Sequence, residues 1–140
     1  MKKNVFLLPL FVFLFGCENN DKIIVSSPKT NTTKLKDELT VLNSNSHVFE
    51  KIKKGIEIND TFILINTSSN VIQIIDQKAS CNCTSVKFST KTLKPKDSLS
   101  VNVKIETKEK GYGNQSTDII VETNGSKKFY YLQVLFNIIE

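Results

Sequence analysis

Strict alternation of apolar and polar residues is the feature that most constrains how this chain folds. Residues 99–105 read Leu-Ser-Val-Asn-Val-Lys-Ile, and residues 130–138 place an apolar side chain at every second position. Side chains of a β-strand point alternately to its two faces, so a period of two predicts a strand with one buried face. No helical periodicity interrupts the second half of the chain. The pattern therefore favours an all-β domain and argues against an α/β sheet.

Further strand signals fill the remainder of residues 47–140. They cover residues 47–52, 56–65, 71–75, 84–88 and 117–123, with Gly, Pro, Asn and Ser clusters between them. The pair Asn124-Gly125 separates two alternating runs, which predicts that the last two strands form an antiparallel hairpin. Seven short strands at this spacing predict a single immunoglobulin-like antiparallel β-sandwich over residues 47–140.

The N-terminus has the layout of a secretion signal that ends in a cysteine. Lys2 and Lys3 precede an apolar run over residues 5–15, and Gly16-Cys17 follows it. The run is shorter than the roughly 20 residues that a membrane-spanning helix needs, and a plain secretory signal ends in a small-x-small site instead. The pattern is typical of a bacterial lipoprotein signal peptide over residues 1–16. We expect Cys17 to carry acyl groups such as palmitate, anchoring the protein to a membrane of the cell envelope, with the outer membrane expected.

Composition changes between residues 17 and 46, where Asn, Ser, Thr and Lys dominate. This segment is predicted to be the lipidated N-terminus and a flexible tether. Residues 33–42 have enough Leu and Val to form a short helix or a first strand, and the sequence does not decide between them. The formal net charge is +5, and all 19 basic residues are lysines scattered along the chain. Without arginine for bidentate contacts, this charge does not indicate nucleic-acid binding.

Two of the three cysteines lie one residue apart, in the stretch Ser-Cys-Asn-Cys-Thr at residues 80–84. With Cys17 committed to lipid, Cys81 and Cys83 form a pair in an oxidising compartment, where a local disulfide or a structural role is expected. The alternative is a thiol module that binds Cu(I) or Zn(II) or exchanges disulfides. Further metal ligands are scarce, because His47 is the only histidine and Met1 the only methionine. No cofactor is therefore predicted.

An ordered set of residues extends across the predicted domain. In chain order they are Phe49, Gly55, Phe62 with Asn66, Cys81-Asn82-Cys83-Thr84, Pro95, Gly111 and Thr123-Asn124. This set resembles the "domain of unknown function 1573" family of bacterial secreted proteins and lipoproteins, common in the Bacteroidetes. Asn82 and Lys96 stand where the family pattern has glycine, and asparagine tolerates left-handed backbone angles better than most residues. The resemblance implies an immunoglobulin-like fold and no established activity.

No constellation typical of an enzyme emerges. Catalysis by a cysteine needs a nearby base, and nothing in the sequence places His47 beside the pair. Asp60, Asp97, Glu106 and Asp118 fall in predicted turns or on solvent faces. The sequence thus predicts a non-catalytic protein-binding or structural module, with an envelope protein as partner and no small-molecule substrate. Phe129 with Tyr130 or Tyr131 is a candidate contact patch or part of the core.

Overall fold

The computed structural model describes residues 37–140, which form nine β-strands. The strands are β1 (Leu39–Leu42), β2 (Ser46–Lys53), β3 (Ile58–Asn66), β4 (Ile72–Ala79), β5 (Thr84–Phe88), β6 (Thr92–Leu93), β7 (Ser98–Ile105), β8 (Gly113–Thr123) and β9 (Phe129–Ile139). No helix in this part of the chain is long and apolar enough to cross a membrane. The predicted signal peptide, Cys17 and the predicted tether up to residue 36 lie outside the described residues.

Two sheets make up the sandwich. The first has the strand order β1-β3-β7-β5, and the second has the order β2-β9-β8-β4-β6. Every pairing is antiparallel except that of β2 with β9, which is parallel. The parallel pair arises because the chain leaves the first sheet after β1, turns at Asn43 with a φ of 71°, and joins the second sheet as β2. The predicted immunoglobulin-like sandwich is confirmed, with this one departure from antiparallel order.

The core consists mainly of the alternating side chains that the sequence pattern predicts, to which β1 and β6 add Leu39 and Leu93. The largest fully buried side chains are Phe62, Leu39, Leu64, Ile72, Leu93, Leu99, Ile105, Ile119, Leu132, Ile138, Val101 and Val103. Burying one such side chain stabilises the fold by about 1.5–3 kcal/mol. The hydrophobic contacts between the two sheets therefore supply most of the stability.

The start of the described chain is bound to the loop between β8 and β9. The Glu38 carboxylate accepts a hydrogen bond from the Ser126 N–H at 2.6 Å, and Lys127 Nζ donates to Asp37 Oδ1 at 2.8 Å. The Glu38 carboxylate lies so close to Gly125 that a Cβ atom there would displace this side chain. The strand β1 follows directly, and the folded domain therefore begins ahead of the predicted boundary at His47.

Candidate functional site

The Cys81–Cys83 pair lies in the turn between β4 and β5 and forms a disulfide. The two Cα atoms are 5.1 Å apart, within the usual range for disulfides. The Cys83 N–H donates to Cys81 Sγ at 3.1 Å, and Thr84 Oγ1 lies 3.8 Å from Cys83 Sγ. Both cysteines are half-buried, and Cys83 packs against the hydrophobic core.

Main-chain hydrogen bonds attach this turn to both sheets. The Ser80 N–H donates to the Asp118 carbonyl on β8 at 2.9 Å, and the Glu106 N–H donates to the Cys83 carbonyl at 2.9 Å. Within the turn, the Thr84 N–H donates to the Cys81 carbonyl at 3.1 Å. The Ser80 hydroxyl also accepts from the Asp118 N–H at 3.0 Å. The turn is thus fixed at both ends by contacts that do not involve sulfur.

The two positions where glycine is replaced relative to the family pattern differ in backbone conformation. Among residues 37–140, a positive φ occurs at Asn43, Gly55, Lys96 and Gly113, so Asn82 does not adopt the left-handed conformation. The turn therefore accepts Asn82 without a left-handed backbone, and the tolerance of asparagine for such angles is not needed here. Lys96, with a φ of 72°, is the substituted position that needs a left-handed backbone.

His47 lies at the opposite edge of the sandwich from the disulfide. Its strand β2 is an edge strand of the second sheet, on the side of the sandwich where β1 and β3 lie. The disulfide precedes β5, which is the edge strand of the first sheet on the other side. His47 Nδ1 is 2.9 and 3.0 Å from the two Asp60 carboxylate oxygens, and its ring stacks on Phe62 at 4.2 Å. The expectation that Asp60 lies in a turn or on a solvent face is wrong, because its side chain is only 11% exposed. His47 therefore does not combine with the cysteines into a catalytic pair.

The metal alternative finds no support in the described part of the chain. Sulfurs bonded to each other are not thiolate ligands, and no group of three or more His, Cys, Asp or Glu side chains is placed to hold a metal ion among residues 37–140. We therefore describe the Cys81–Cys83 turn as a disulfide, without a Cu(I) or Zn(II) site.

Strand β5 has a free edge beside the disulfide, which the sequence reasoning did not single out. It pairs with β7 on one side, through Ser89 N–H to the Ser100 carbonyl and Glu106 N–H to the Cys83 carbonyl at its two ends. Main-chain groups in an antiparallel pair alternate in direction, so those of Val86 and Phe88 point away from β7. No residue in the described range hydrogen-bonds to them. A signal was present in the sequence, since a short strand with a central lysine is typical of a sheet edge.

Exposed side chains cover the outer faces of both sheets. On the first sheet, the hydrogen bond to Glu57 raises the pKa of Lys104 above its usual value, and the same bond lowers the pKa of Glu57.

On the second sheet, Phe129 and Tyr131 are 43% and 60% exposed, whereas Tyr130 is buried and its hydroxyl accepts a hydrogen bond from the Leu39 N–H at 3.0 Å. Of the aromatic candidates for a contact patch, Phe129 and Tyr131 therefore remain and Tyr130 belongs to the core.

The motif Phe62-x-x-x-Asn66 is structural. Phe62 is buried in the core, and Asn66 is completely buried with its side-chain amide bonded on all sides. Asn66 Nδ2 donates to the carbonyls of Asn70 and Leu93 at 2.7 and 3.0 Å, and its Oδ1 accepts from the N–H and hydroxyl of Ser68. Asn66 therefore joins β3, the following loop and β6.

Comparison with solved structures shows the same fold at low sequence identity. A Porphyromonas gingivalis protein of unknown function is 12% identical, with a TM-score of 0.62 over 71% of this chain and 46% of that chain. The PapD-like domain 7 of human CEP192 is 16% identical, with a TM-score of 0.53 over 74% of this chain and 86% of that domain. The Vibrio cholerae protease VesB is also 16% identical, with a TM-score of 0.59 over 77% of this chain and 33% of that chain.

These likenesses concern the fold alone. The chain spans less than half the length of the Porphyromonas gingivalis protein and a third of the protease. No curated protein matches the chain. The family model described as "Protein of unknown function (DUF1573)" matches residues 40–138, which is most of the chain and nearly all of the sandwich. The chain belongs to the DUF1573 family.

Proposed function

We propose that this chain is a lipid-anchored protein of the bacterial cell envelope whose sandwich binds an extended segment of another envelope protein, without catalysis. The immunoglobulin-like fold supports the binding role, since such domains commonly present sheet edges to partners. The N-terminal pattern that ends at Cys17 supports the lipid anchor and an outer-membrane location, facing the periplasm or the cell surface.

The observation that carries the binding proposal is the free edge of β5. The main-chain groups of Val86 and Phe88 are directed outward, as an added strand requires, and their side chains pack inward against the core. On the second sheet, the edge formed by β4 and the two-residue β6 is less suited, because β4 has a register shift between Ile74 and Asp76 and is partly covered by β6. Such a bulge disrupts the regular ladder that strand addition needs.

Charge indicates which kind of segment fits the β5 edge. Residues 80–96 contain four lysines and no acidic residue. Lys87, Lys91, Lys94 and Lys96 are exposed, and none forms an ion pair within the described part of the chain. A partner strand rich in aspartate or glutamate would gain favourable electrostatics here, whereas a basic strand would be repelled. The proposed ligand is therefore an acidic, extended polypeptide segment.

Binding of designed peptides tests this proposal. One dye-labelled peptide alternates Glu with Val and Thr, and a second carries Lys in place of each Glu. We expect the acidic peptide to bind at least about tenfold more tightly in low salt. Lys87→Glu should weaken its binding, whereas Lys128→Glu, the same charge change in the loop between β8 and β9, should not. Amide hydrogen exchange should slow at Val86 and Phe88 when the acidic peptide is bound.

Equal affinity for the two peptides, or protection at other strands instead of β5, contradicts the proposal. Protection around Phe129 and Tyr131 in place of β5 would transfer the binding surface to the outer face of the second sheet.

A further inference from the structure

The Cys81–Cys83 disulfide contributes little to holding the fold together. In the chain-entropy description, the stabilisation by a disulfide grows with the length of the loop that it closes, and this bond joins residues only two apart. The same turn is already attached to β8 and to the end of β7 through Ser80 and Cys83 main-chain groups. The bond is therefore not required to connect β4 with β5. A role in thiol chemistry is the alternative to a role in stability.

The two sulfurs have different surroundings. Cys83 packs against the hydrophobic core, and Cys81, which is also half-buried, is not among the residues packed against it. Each sulfur has its own hydrogen-bond donor. The Cys83 N–H is 3.1 Å from Cys81 Sγ, and the Thr84 hydroxyl is 3.8 Å from Cys83 Sγ. A donor at this range stabilises a thiolate, because hydrogen bonds to charged groups are stronger than those to neutral ones.

We infer that Cys81 and Cys83 form a thiol–disulfide exchange site, in which Cys81 makes the mixed disulfide and Cys83 is the leaving and resolving sulfur. The inference goes beyond the proposed binding function and does not depend on it. The co-reactant is a thiol, carried by a small molecule or by another protein. Exchange proceeds by attack of a thiolate on one sulfur of a disulfide, and the core contact of Cys83 leaves Cys81 as the sulfur open to attack.

The electron balance of the step is simple. The incoming thiolate forms a bond to Cys81 Sγ, the Cys81–Cys83 bond breaks, and its electron pair stays on Cys83 Sγ. The Thr84 hydroxyl donates to this new thiolate, which then takes a proton from water. In the reverse direction the Cys83 thiolate attacks Cys81 Sγ in the mixed disulfide and releases the co-reactant as a thiolate. Thr84 is thus a positioning residue for the leaving sulfur.

Trapping experiments on the full chain test the order of the two sulfurs. Cys83→Ser and Cys81→Ser are each mixed with glutathione disulfide, and the adduct is assigned by mass after tryptic cleavage. Cleavage after Lys78 and Lys87 isolates a peptide of residues 79–87, so any adduct at Cys17 is counted separately. We expect the adduct at Cys81 in Cys83→Ser to form at least about tenfold faster than the adduct at Cys83 in Cys81→Ser. Equal rates, or faster modification of Cys83, overturn the assignment.

A second measurement keeps both cysteines. Reduced glutathione and a reduced two-cysteine peptide are each added to the folded wild-type chain, and loss of the disulfide is followed by alkylation and mass. Reduction by both reagents assigns small-molecule and protein thiols as co-reactants, and reduction by the peptide alone assigns protein thiols. Resistance to both while the chain stays folded overturns the inference.

Thr84→Val separates a role in exchange from a role in structure. Valine keeps the β-branched shape in strand β5 and removes the hydroxyl donor, so the fold should persist, as checked by circular dichroism. The rate of thiol attack should fall severalfold because the leaving thiolate loses its hydrogen bond. Ser85→Ala, the adjacent exposed position, should leave the rate unchanged. An unchanged rate in Thr84→Val would contradict both the positioning role of Thr84 and the assignment of Cys83 as the leaving sulfur.

Discussion

Thr117 is a buried residue whose hydroxyl has no hydrogen-bond partner in the described part of the chain. It lies on β8 with no solvent exposure. An unpaired buried polar group costs about 1–3 kcal/mol, so replacing the hydroxyl by a methyl group of similar shape removes that cost. We expect Thr117→Val to raise the free energy of unfolding by about 1 kcal/mol in urea denaturation.

Thr123→Val is the matched control on the same strand. The Thr123 hydroxyl donates to the Lys127 carbonyl at 3.1 Å and accepts from the Gly125 N–H at 3.3 Å. This variant should lose about 1–2 kcal/mol because two groups of the loop lose their partner. A Thr117→Val protein that is less stable than wild type would show that the hydroxyl is satisfied, for example by a bound water.

Lys96 occupies a conformation that suits glycine. Its φ is 72°, in the turn where the Asp97 N–H donates to the Lys94 carbonyl at 3.0 Å. The left-handed conformation costs a residue with a Cβ atom about 1–2 kcal/mol. Glycine avoids this cost, but it also makes the unfolded chain more flexible, which cancels part of the gain in stability. We expect Lys96→Gly to stabilise the fold by about 0.5 kcal/mol in the same assay. Lys96→Ala removes the charge but keeps the Cβ atom, so equal effects of the two variants would attribute the gain to charge.

At the scale of elements, Asn66 holds one end of the first sheet to the second. Its amide bonds to the carbonyl of Leu93 in β6 and to the loop at Ser68 and Asn70. Asn66→Ala leaves the buried Leu93 carbonyl and two part-buried main-chain groups of the loop without their partner, and we expect the free energy of unfolding to fall by about 2–3 kcal/mol. Amide exchange at Thr92 and Leu93 should accelerate more than exchange in β7. Asn70→Ala should change stability by less than about 0.5 kcal/mol, since an exposed side chain away from special features contributes little. Equal losses in the two variants would contradict this role of Asn66.

The sequence pattern predicted strands wherever a buried face imposes alternation. Residues 84–88 were predicted as a strand and form β5 with those bounds, and the hairpin of β8 and β9 is antiparallel as predicted. The pattern missed residues 113–116 of β8, which are polar and become a strand through pairing with β9. It also missed β6, a two-residue strand defined by its pairing with β4.

Local sequence patterns do not show which strands pair with each other over long distances in the chain. The sequence of residues 33–42 fits a short helix or a strand, and β1 is a strand because it pairs with β3. The parallel register of β2 with β9 depends on where the chain crosses between sheets, at Asn43. At the site, the sequence singles out Cys81 and Cys83. Their hydrogen-bond donors are neighbours in the same turn, and only the free edge of β5 depends on the tertiary structure.

At the scale of the whole molecule, the disulfide and the first described residues lie at opposite ends of the sandwich. Asp37 and Glu38 bind the loop between β8 and β9, near the end where Ile65 pairs with Ser98. The disulfide lies at the end where Thr84 pairs with Ile105. The length of β7 separates the two ends by about 25 Å at roughly 3.3 Å per residue. The Cys81–Cys83 turn therefore lies at the end of the sandwich far from Asp37, where the described part of the chain begins.

The proposed lipid anchor at Cys17 makes a prediction about where the whole protein is found. Two or more acyl chains hold a protein on a membrane stably, because each buried CH₂ contributes about 0.8 kcal/mol. Replacing residues 1–17 with a cleavable secretory signal removes the lipidation position and leaves the sandwich with its complete core. We expect wild-type protein in the membrane fraction after a high-salt wash, with an intact mass that includes acyl chains, and the replaced form in the soluble extracytoplasmic fraction.

A replaced form that stays on membranes until the salt wash would indicate attachment through the exposed lysines, since salt screens such contacts. Membrane retention that survives the salt wash without lipid would contradict the anchor at Cys17.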